Sequence, residues 1–220
     1  MTITPDSPPI TPTATAIRAA TFAQLVVDVQ ACRRCPRMEG RAQVLGPGNG
    51  DPSARVLVIA EAPGRLGADR SGVPLQGDQT GRQFEALLAH AGLARRDLFV
   101  TNAVLCNPRD AQGRNAPPAE DELDRCADHL RATIALLDPA VVVTLGAVAL
   151  RALRRLAPHD LVLASAVGVA VSWHGRLLIP LYHPGPRARL HRPLDQQLQD
   201  FAQLGRLLRD LGAVPAQETR

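Results

Sequence analysis

The chain has 220 residues, 45% of them hydrophobic, which is enough for a domain with its own core. Its apolar runs are far too short to cross a membrane, and the N-terminus lacks the basic start and apolar stretch of a secretory signal, so we expect a soluble, cytoplasmic protein. The formal net charge is +4 and every basic residue is arginine, which is compatible with a polyanionic partner but also with codon bias alone.

The first part of the chain predicts a flexible leader, a helix and a buried strand. Residues 1–17 are rich in proline and threonine and are expected to be disordered. Apolar residues at helical spacing follow over Thr21–Gln30 and lead into Cys32-Arg-Arg-Cys35. After a segment rich in glycine and proline, Arg55–Ala60 is a continuous apolar run, which is typical of a strand buried on both faces.

The remaining chain alternates between strand and helix patterns. The predicted helices are Thr80–Leu93, Pro117–Leu137, Ala147–Leu156 and Leu194–Leu211, and the further strands are Leu98–Val104, Ala140–Leu145 and Leu177–Leu181. Pro180 favours an edge position for the last strand. The alternation predicts an α/β fold, a three-layer αβα sandwich with a mainly parallel four-stranded sheet. One domain is expected over residues 18–213, with a flexible tail at 214–220.

Polar residues cluster where the predicted strands end. In open parallel sheets, ligands bind at the loops that leave the carboxyl ends of the strands. The residues that fall there are Glu61, Asp69, Asp78, Asn102, Cys106 and His183. This edge is therefore the predicted ligand site.

Four cysteines form a second candidate site: Cys32, Cys35, Cys106 and Cys126. A disulfide framework is not expected in an intracellular protein, which leaves metal ligation, redox chemistry or buried packing. Cys32 and Cys35 have the spacing of a two-ligand knuckle, but the second close pair of a zinc ribbon is missing. Spacing alone leaves zinc, an iron–sulfur cluster and unrelated core residues open.

Several motifs, in chain order, resemble the iron–sulfur uracil-DNA glycosylases. They are Ala60–Gly64 with Asp69–Gly72 and Pro74–Asp78, then Thr101–Pro108, then Thr144–Ala147, and finally Tyr182–Pro184. The resemblance extends from about Cys32 to Leu190 and mixes two branches, because Glu61 and Asn102 resemble family four whereas the loop around Asp78 resembles family five. Leu75 stands where members usually carry a phenylalanine that stacks on the base.

The resemblance implies a uracil-DNA glycosylase fold, a 4Fe–4S cluster on the four cysteines and excision of a flipped uracil that leaves an abasic site. It implies that Asn102 reads the base and that His183 stabilises the departing uracil. Asp78 is the first candidate to orient the attacking water, Glu61 is the second and Asp69 the third.

The same resemblance implies further contacts with the base and with DNA. The backbone of Ala62 and Gly64 is expected to contact uracil, and Leu75 to border the base. The residues expected to meet DNA are Arg187 and Arg189, through phosphates, and Leu190, as an apolar wedge. The expected partner is DNA that contains uracil or another deaminated base, bound by a monomer without membrane contact.

Two alternatives remain open from the sequence. One is a DNA damage-binding module that keeps the cluster but has little or no turnover, which Leu75 motivates. The other is a zinc-stabilised α/β protein with an unrelated small ligand.

Overall fold

A computed structural model describes residues 13–216. Within them, five strands form one sheet in the order β2-β1-β3-β5-β4. The strands are β1 (Val56–Ala60), β2 (Phe99–Asn102), β3 (Val141–Leu145), β4 (Val171–Trp173) and β5 (Arg176–Leu181). β2, β1, β3 and β5 run parallel, and only β4 is antiparallel to its neighbour. The prediction of a mainly parallel sheet is confirmed, and the predicted number of four strands is wrong.

The missed strand also corrects the predicted edge. β4 joins β5 through His174 and Gly175, whose φ angles of 49° and 75° are both positive, as a tight two-residue hairpin requires. β5 therefore lies between β3 and β4 instead of at the edge. Pro180 is tolerated because β4 pairs with β5 only as far as Leu178, so the proline lies beyond the antiparallel ladder.

Helices cover both faces of the sheet, which confirms the three-layer arrangement. The helices are α1 (Ala14–Gln30), α2 (Ala68–Ser71), α3 (Gln79–His90), α4 (Glu120–Leu137), α5 (Ala147–Ala152), α6 (Leu163–Ala166) and α7 (Leu194–Asp210). On one face, Phe22 of α1 meets Phe99 of β2 edge to face at 5.6 Å between ring centroids. On the other, Phe84 of α3 and Phe201 of α7 meet at 6.4 Å. Each face thus has its own apolar core.

The largest differences from the sequence patterns are at the start of α1 and the end of α5. α1 begins at Ala14, where the Thr13 hydroxyl accepts a hydrogen bond from the Ala16 amide, so residues assigned to the leader from Ala14 onward are helical. α5 ends at Ala152 and continues only as a 3-10 turn over Leu153–Arg155. The rest of the predicted leader, residues 1–12, and the tail end, residues 217–220, lie outside the described residues.

No helix among the described residues is long and apolar enough to span a membrane.

The contact between α3 and α7 is set by a glycine. A Cβ atom on Gly205 of α7 would lie 2.2 Å from the backbone oxygen of Ala91, at the end of α3. Real Cβ atoms do not approach a backbone oxygen so closely, so only glycine allows this helix spacing. The contact thus fixes the C-terminal end of α3, the helix whose N-terminal cap is Asp78.

We expect Gly205→Ala to destabilise the protein by about 1–3 kcal/mol, although alanine favours helices, because the added methyl group overpacks the α3–α7 contact. Urea unfolding monitored by circular dichroism measures the effect. Gln203→Ala, at an exposed position of the same helix, is the control and should change stability by less than about 0.5 kcal/mol. A stabilised Gly205→Ala variant would contradict the close approach.

Candidate active site and cysteine cavity

A cavity of about 510 Å³ opens at the carboxyl ends of the parallel strands. Four segments form its wall: the loop after β1, the loop that leads into α3, the loop after β2 and the loop after β5. The lining residues are Glu61–Gly64, Ala68, Leu75, Asp78, Thr80, Asn107, Pro108, Asn115, Ala116, His183 and Gly185–Ala188. Its volume is that of an ordinary small-molecule site, which is about 300–1,000 Å³.

His183 lies two residues beyond the end of β5, with its imidazole in this cavity wall. Its Nδ1 atom accepts a hydrogen bond from the Gly185 amide at 3.0 Å, so the ring hydrogen of the neutral form is on Nε2. Burial lowers the pKa of His183 to about 4, against the opposing charge of Asp78. At neutral pH the side chain is therefore an uncharged donor.

Two glycines make room for this histidine. A Cβ on Gly185 would lie 2.9 Å from Nδ1, and one on Gly146 would lie 3.4 Å from the His183 Cβ. Gly146 also has a φ of +95°, in the left-handed region that side chains rarely adopt. This explains structurally why the Thr144–Ala147 motif contains a glycine next to the site.

One oxygen of the Asp78 carboxylate caps α3, and the other faces the loop after β1. Asp78 is the N-cap of α3, where Oδ1 accepts a hydrogen bond from the Gly81 amide at 2.9 Å. Its Oδ2 lies against the loop after β1, so closely that a Cβ on Gly67 would be 2.6 Å away and one on Gly64 2.8 Å away. The cap fixes the carboxylate, and Oδ2 remains available to a ligand.

Glu61 follows β1 directly and is also part of the cavity wall. Burial raises the pKa of its carboxyl group, while the positive charges of Arg151 and Arg187 oppose this rise. Both carboxylates expected to act on water therefore border the same space as His183.

Asp69 does not share that position. Its side chain is 7% exposed and pairs with Arg109 at 2.5 Å, and its other oxygen accepts a hydrogen bond from the Ala42 amide at 3.2 Å. Both oxygens are engaged, and Asp69 is not among the cavity-lining residues of the described chain. It anchors a loop, which does not fit the expectation that it could orient water.

Asn102 and Leu75 differ in whether they line the cavity. Asn102 is the last residue of β2, is 1% exposed, and its Nδ2 atom has no hydrogen-bond partner in the described part of the chain. It is not one of the cavity-lining residues found in residues 13–216. Leu75 does line the cavity, with a φ of 51° that is uncommon for leucine.

The residues expected to contact DNA lie together on a 3-10 turn, Pro186–Leu190. Arg187 is exposed and borders the cavity, and Leu190 is 85% exposed. Arg189 instead donates a hydrogen bond to the Gln83 side chain of α3 at 2.6 Å. A phosphate contact by Arg189 would have to replace this bond.

Asn107 is a site residue that the sequence analysis did not assign. It is 1% exposed, and its Nδ2 donates to the Pro63 carbonyl at 2.6 Å and to the Asn115 side chain at 3.1 Å. Asn115 also accepts from the Arg65 amide at 2.9 Å, and Arg109 donates to Asn107 at 2.7 Å. This Asn107 network holds the loop after β1. The only sequence signal was its place directly after Cys106 in a motif.

The four cysteines converge on a second cavity, of about 230 Å³. They come from the segment after α1, the loop after β2 and the α4 helix, and all four are free thiols. Burial, together with the charge of neighbouring cysteines, raises the pKa of Cys106 and of Cys126 to about 12. Ionising several of these thiols therefore requires a compensating cation. Within residues 13–216, no group of three or more His, Cys, Asp or Glu side chains has the geometry to hold a single metal ion.

Comparison with known proteins adds an independent observation. A family model described as the uracil DNA glycosylase superfamily matches residues 47–209. The type-4 uracil-DNA glycosylase of Archaeoglobus fulgidus is 30% identical over 190 residues, which cover 83% of this chain and 91% of that protein. The type-4 enzyme of Thermotoga maritima is 31% identical over 157 residues, covering 71% and 77%. The type-5 uracil-DNA glycosylase of Thermus thermophilus is 35% identical over 157 residues, covering 58% and 69%.

The low pKa of His183 predicts a pH-dependent contribution to stability. Between about pH 6.5 and pH 4 the unfolded histidine binds a proton that the folded one excludes, so stability falls as the pH falls through this window. At about pH 5 the loss relative to neutral pH is at most about 2 kcal/mol, and His183→Gln should lack it. Denaturant unfolding of both proteins at the two pH values measures the difference. Equal pH dependence of the two proteins would contradict the buried neutral ring.

Proposed function

The chain belongs to the uracil-DNA glycosylase superfamily, and on that premise we propose that it is a DNA repair glycosylase that hydrolyses the N-glycosidic bond of uracil in DNA. The observation that carries the proposal is the cavity at the strand ends, where an uncharged histidine donor and two carboxylates border one space. Bond cleavage leaves negative charge on the base and positive charge on the sugar, and these groups match both charges.

In the proposed reaction, the flipped uracil enters the cavity and the bond between C1′ and N1 breaks. The electron pair of that bond stays on uracil, and the His183 Nε2–H donates a hydrogen bond to the O2 atom as charge grows there. A neutral donor suits this role because it stabilises the anion without having to transfer a proton. Water adds to C1′ and gives a proton to the carboxylate that orients it, which leaves an abasic site. The released uracil anion takes up a proton from solvent.

We assign the water to Asp78 first. Its Oδ1 is held by the helix cap, and this fixes the direction in which Oδ2 can accept a hydrogen bond from water. Glu61 is the second choice, because the burial that raises the pKa of its carboxyl group makes its charged form less favourable, although Arg151 and Arg187 oppose this rise. The negative charge of either group would also stabilise the positive sugar.

Base recognition is assigned to Asn102, supported by its buried Nδ2 atom, which lacks a partner within the described residues. An amide can donate to uracil O4 and accept from N3–H in the same plane. Ala62 and Gly64 present backbone to the base, and Leu75 encloses it in place of an aromatic ring. The exposed Arg187 would meet a phosphate and Leu190 would fill the space that the flipped nucleotide leaves. For Arg189 the proposed phosphate contact requires release from Gln83.

We also propose that Cys32, Cys35, Cys106 and Cys126 hold a 4Fe–4S cluster. The donor set fits, because four half-buried thiols line one cavity. They do not have the spacing of a single-ion site, and a cluster holds thiolates further apart than one ion does. When bound, the cluster supplies the positive charge that keeps these thiols ionised and ties α1, α4 and the loop after β2 together. The proposed reaction does not pass through it.

We expect the protein to release uracil from a uracil-containing duplex, and His183→Ala to slow single-turnover excision by about a hundredfold or more. Affinity for the duplex should change little, because it depends mainly on phosphate contacts. His90→Ala, an exposed histidine on α3 outside the cavity wall, is the control and should excise normally. A wild-type protein that binds the duplex without releasing uracil would instead support the damage-binding alternative.

Two further variants in the same excision assay test whether Asp78 or Glu61 orients the water. Asparagine still caps a helix, so Asp78→Asn should fold normally and lose only the charge. We expect it to slow excision more than Glu61→Gln does. The reverse order would assign the water to Glu61.

For the cluster, we expect anaerobically purified protein to contain about four iron and four sulfide per chain, with the visible absorption of an iron–sulfur protein. Cys126→Ser should lower both the iron content and the resistance to thermal unfolding. Arg131→Gln, at an exposed position of α4 that does not line the cysteine cavity, is the control and should retain iron. Purified wild-type protein that contains zinc would favour the zinc-stabilised alternative.

A further inference from the structure

We propose that His129 is a fifth residue of the cysteine cavity and donates a hydrogen bond from Nε2 to a sulfur of the bound cluster. The proposal rests on the cluster assignment made above. It adds a residue that is neither a cysteine nor part of any motif in the sequence, and it gives that residue a role in holding the cluster.

The helix places His129 beside a ligand. Cys126 and His129 are three residues apart on α4, a spacing that puts both side chains on one face of the helix. His129 is 8% exposed and, like Cys126, lines the cysteine cavity. The ring therefore borders the space that the four thiols surround.

The Nε2 atom has no hydrogen-bond partner among residues 13–216, although it is fully buried. A buried polar atom left unpaired costs about 1–3 kcal/mol, so a partner is expected. The cavity offers few acceptors, because Val29, Met38, Val104 and Leu105 form apolar parts of its wall. Arginine side chains also border it, but a guanidinium group can only donate.

Two acceptor side chains do line the cavity, namely Glu39 and Gln43, and neither forms a hydrogen bond with Nε2 in the described structure. The remaining side-chain acceptors in the cavity wall are the sulfurs of the four cysteines. A sulfide or thiolate sulfur of a cluster carries negative charge and accepts hydrogen bonds from N–H groups. The unpaired nitrogen, the apolar wall and the four thiols together point to a sulfur as its partner.

His129 also borders a second groove, together with Asp28, Cys32 and Asp128. The ring therefore contributes to the walls of two adjoining spaces. A test substitution must preserve its bulk, which leucine does without a donor and glutamine does with one.

The hydrogen bond has two measurable consequences. It withdraws charge from the sulfur, which stabilises the reduced cluster and raises its reduction potential. It also orients and retains the group it contacts, as outer-shell partners of metal sites generally do, with a roughly 10–100-fold effect on metal affinity.

The experiment compares wild type, His129→Leu and His129→Gln, with Thr133→Val as the control. Thr133 is buried one turn further along α4. Its hydroxyl donates a hydrogen bond to the His129 carbonyl, and it does not line the cysteine cavity. The readouts are the reduction potential of the cluster, from a titration followed by electron paramagnetic resonance, and the rate at which a chelator removes iron.

We expect His129→Leu to shift the potential to more negative values and to lose iron about tenfold faster than wild type. His129→Gln should restore much of both properties, and Thr133→Val should match wild type. Equal potentials and equal iron loss in wild type and His129→Leu would overturn the proposal. If the leucine variant assembles no cluster, the glutamine variant decides: restored assembly supports the hydrogen bond, and failed assembly overturns it.

The outcome is independent of the catalytic proposal. Wild-type protein without an iron–sulfur cluster would overturn both the role of His129 and the cluster assignment, while uracil release is measured separately. Conversely, a loaded but inactive protein would leave the comparison of potentials intact and count against the glycosylase activity alone.

Discussion

Parallel strand pairing is the constraint on which the rest of the molecule depends. The register pairs Ala60 with Asn102 and Leu145 with Leu181, so the strands end at the same level. The backbone then continues the pairing briefly, because the Ala103 amide donates to the Ala60 carbonyl and the Gly146 amide to that of Leu181. Side chains far apart in sequence are thereby brought to one edge, where the cavity lies.

The segment that leaves β2 connects the two sites of the molecule. Within six residues it carries Asn102 at the strand end, Cys106 at the thiol cavity and Asn107 in the wall of the larger cavity. The Val44 amide donates to the Leu105 carbonyl and so fastens the chain that follows the first two cysteines to the same segment. A group bound by the cysteines would stiffen the backbone from which Asn107 supports the loop after β1. The proposed cluster would thus have a structural role, although the proposed reaction does not pass through it.

Much of the fold could be predicted from the sequence, because its signals were local. The apolar runs at Val56–Ala60 and Val141–Leu145 are unambiguous strands, and their alternation with helices fixes the parallel class. The three-residue β4 was missed because so short a segment has no periodicity, and the turn through His174 and Gly175 differs from the usual hairpin pairs. The edge position of β5 was inferred from Pro180 alone. A proline is nevertheless compatible with an inner strand here, because β4 is too short to pair with β5 at Pro180.

In the candidate site, residue type and spacing predicted where the cavity lies. They could not show that the Asp69 carboxylate pairs with Arg109, because the two residues are 40 positions apart in the sequence.

The Asn107 network has a consequence for motion. Asn107 and Asn115 join the loop after β1 to the loop after β2, and Arg109 extends the connection to Asp69 and through it to the Ala42 amide. A loop held by one contact frays residue by residue, whereas contacts that share partners are lost together. We therefore expect the wall of the cavity to open as a cooperative unit, so that its amides share one free energy of opening in hydrogen exchange.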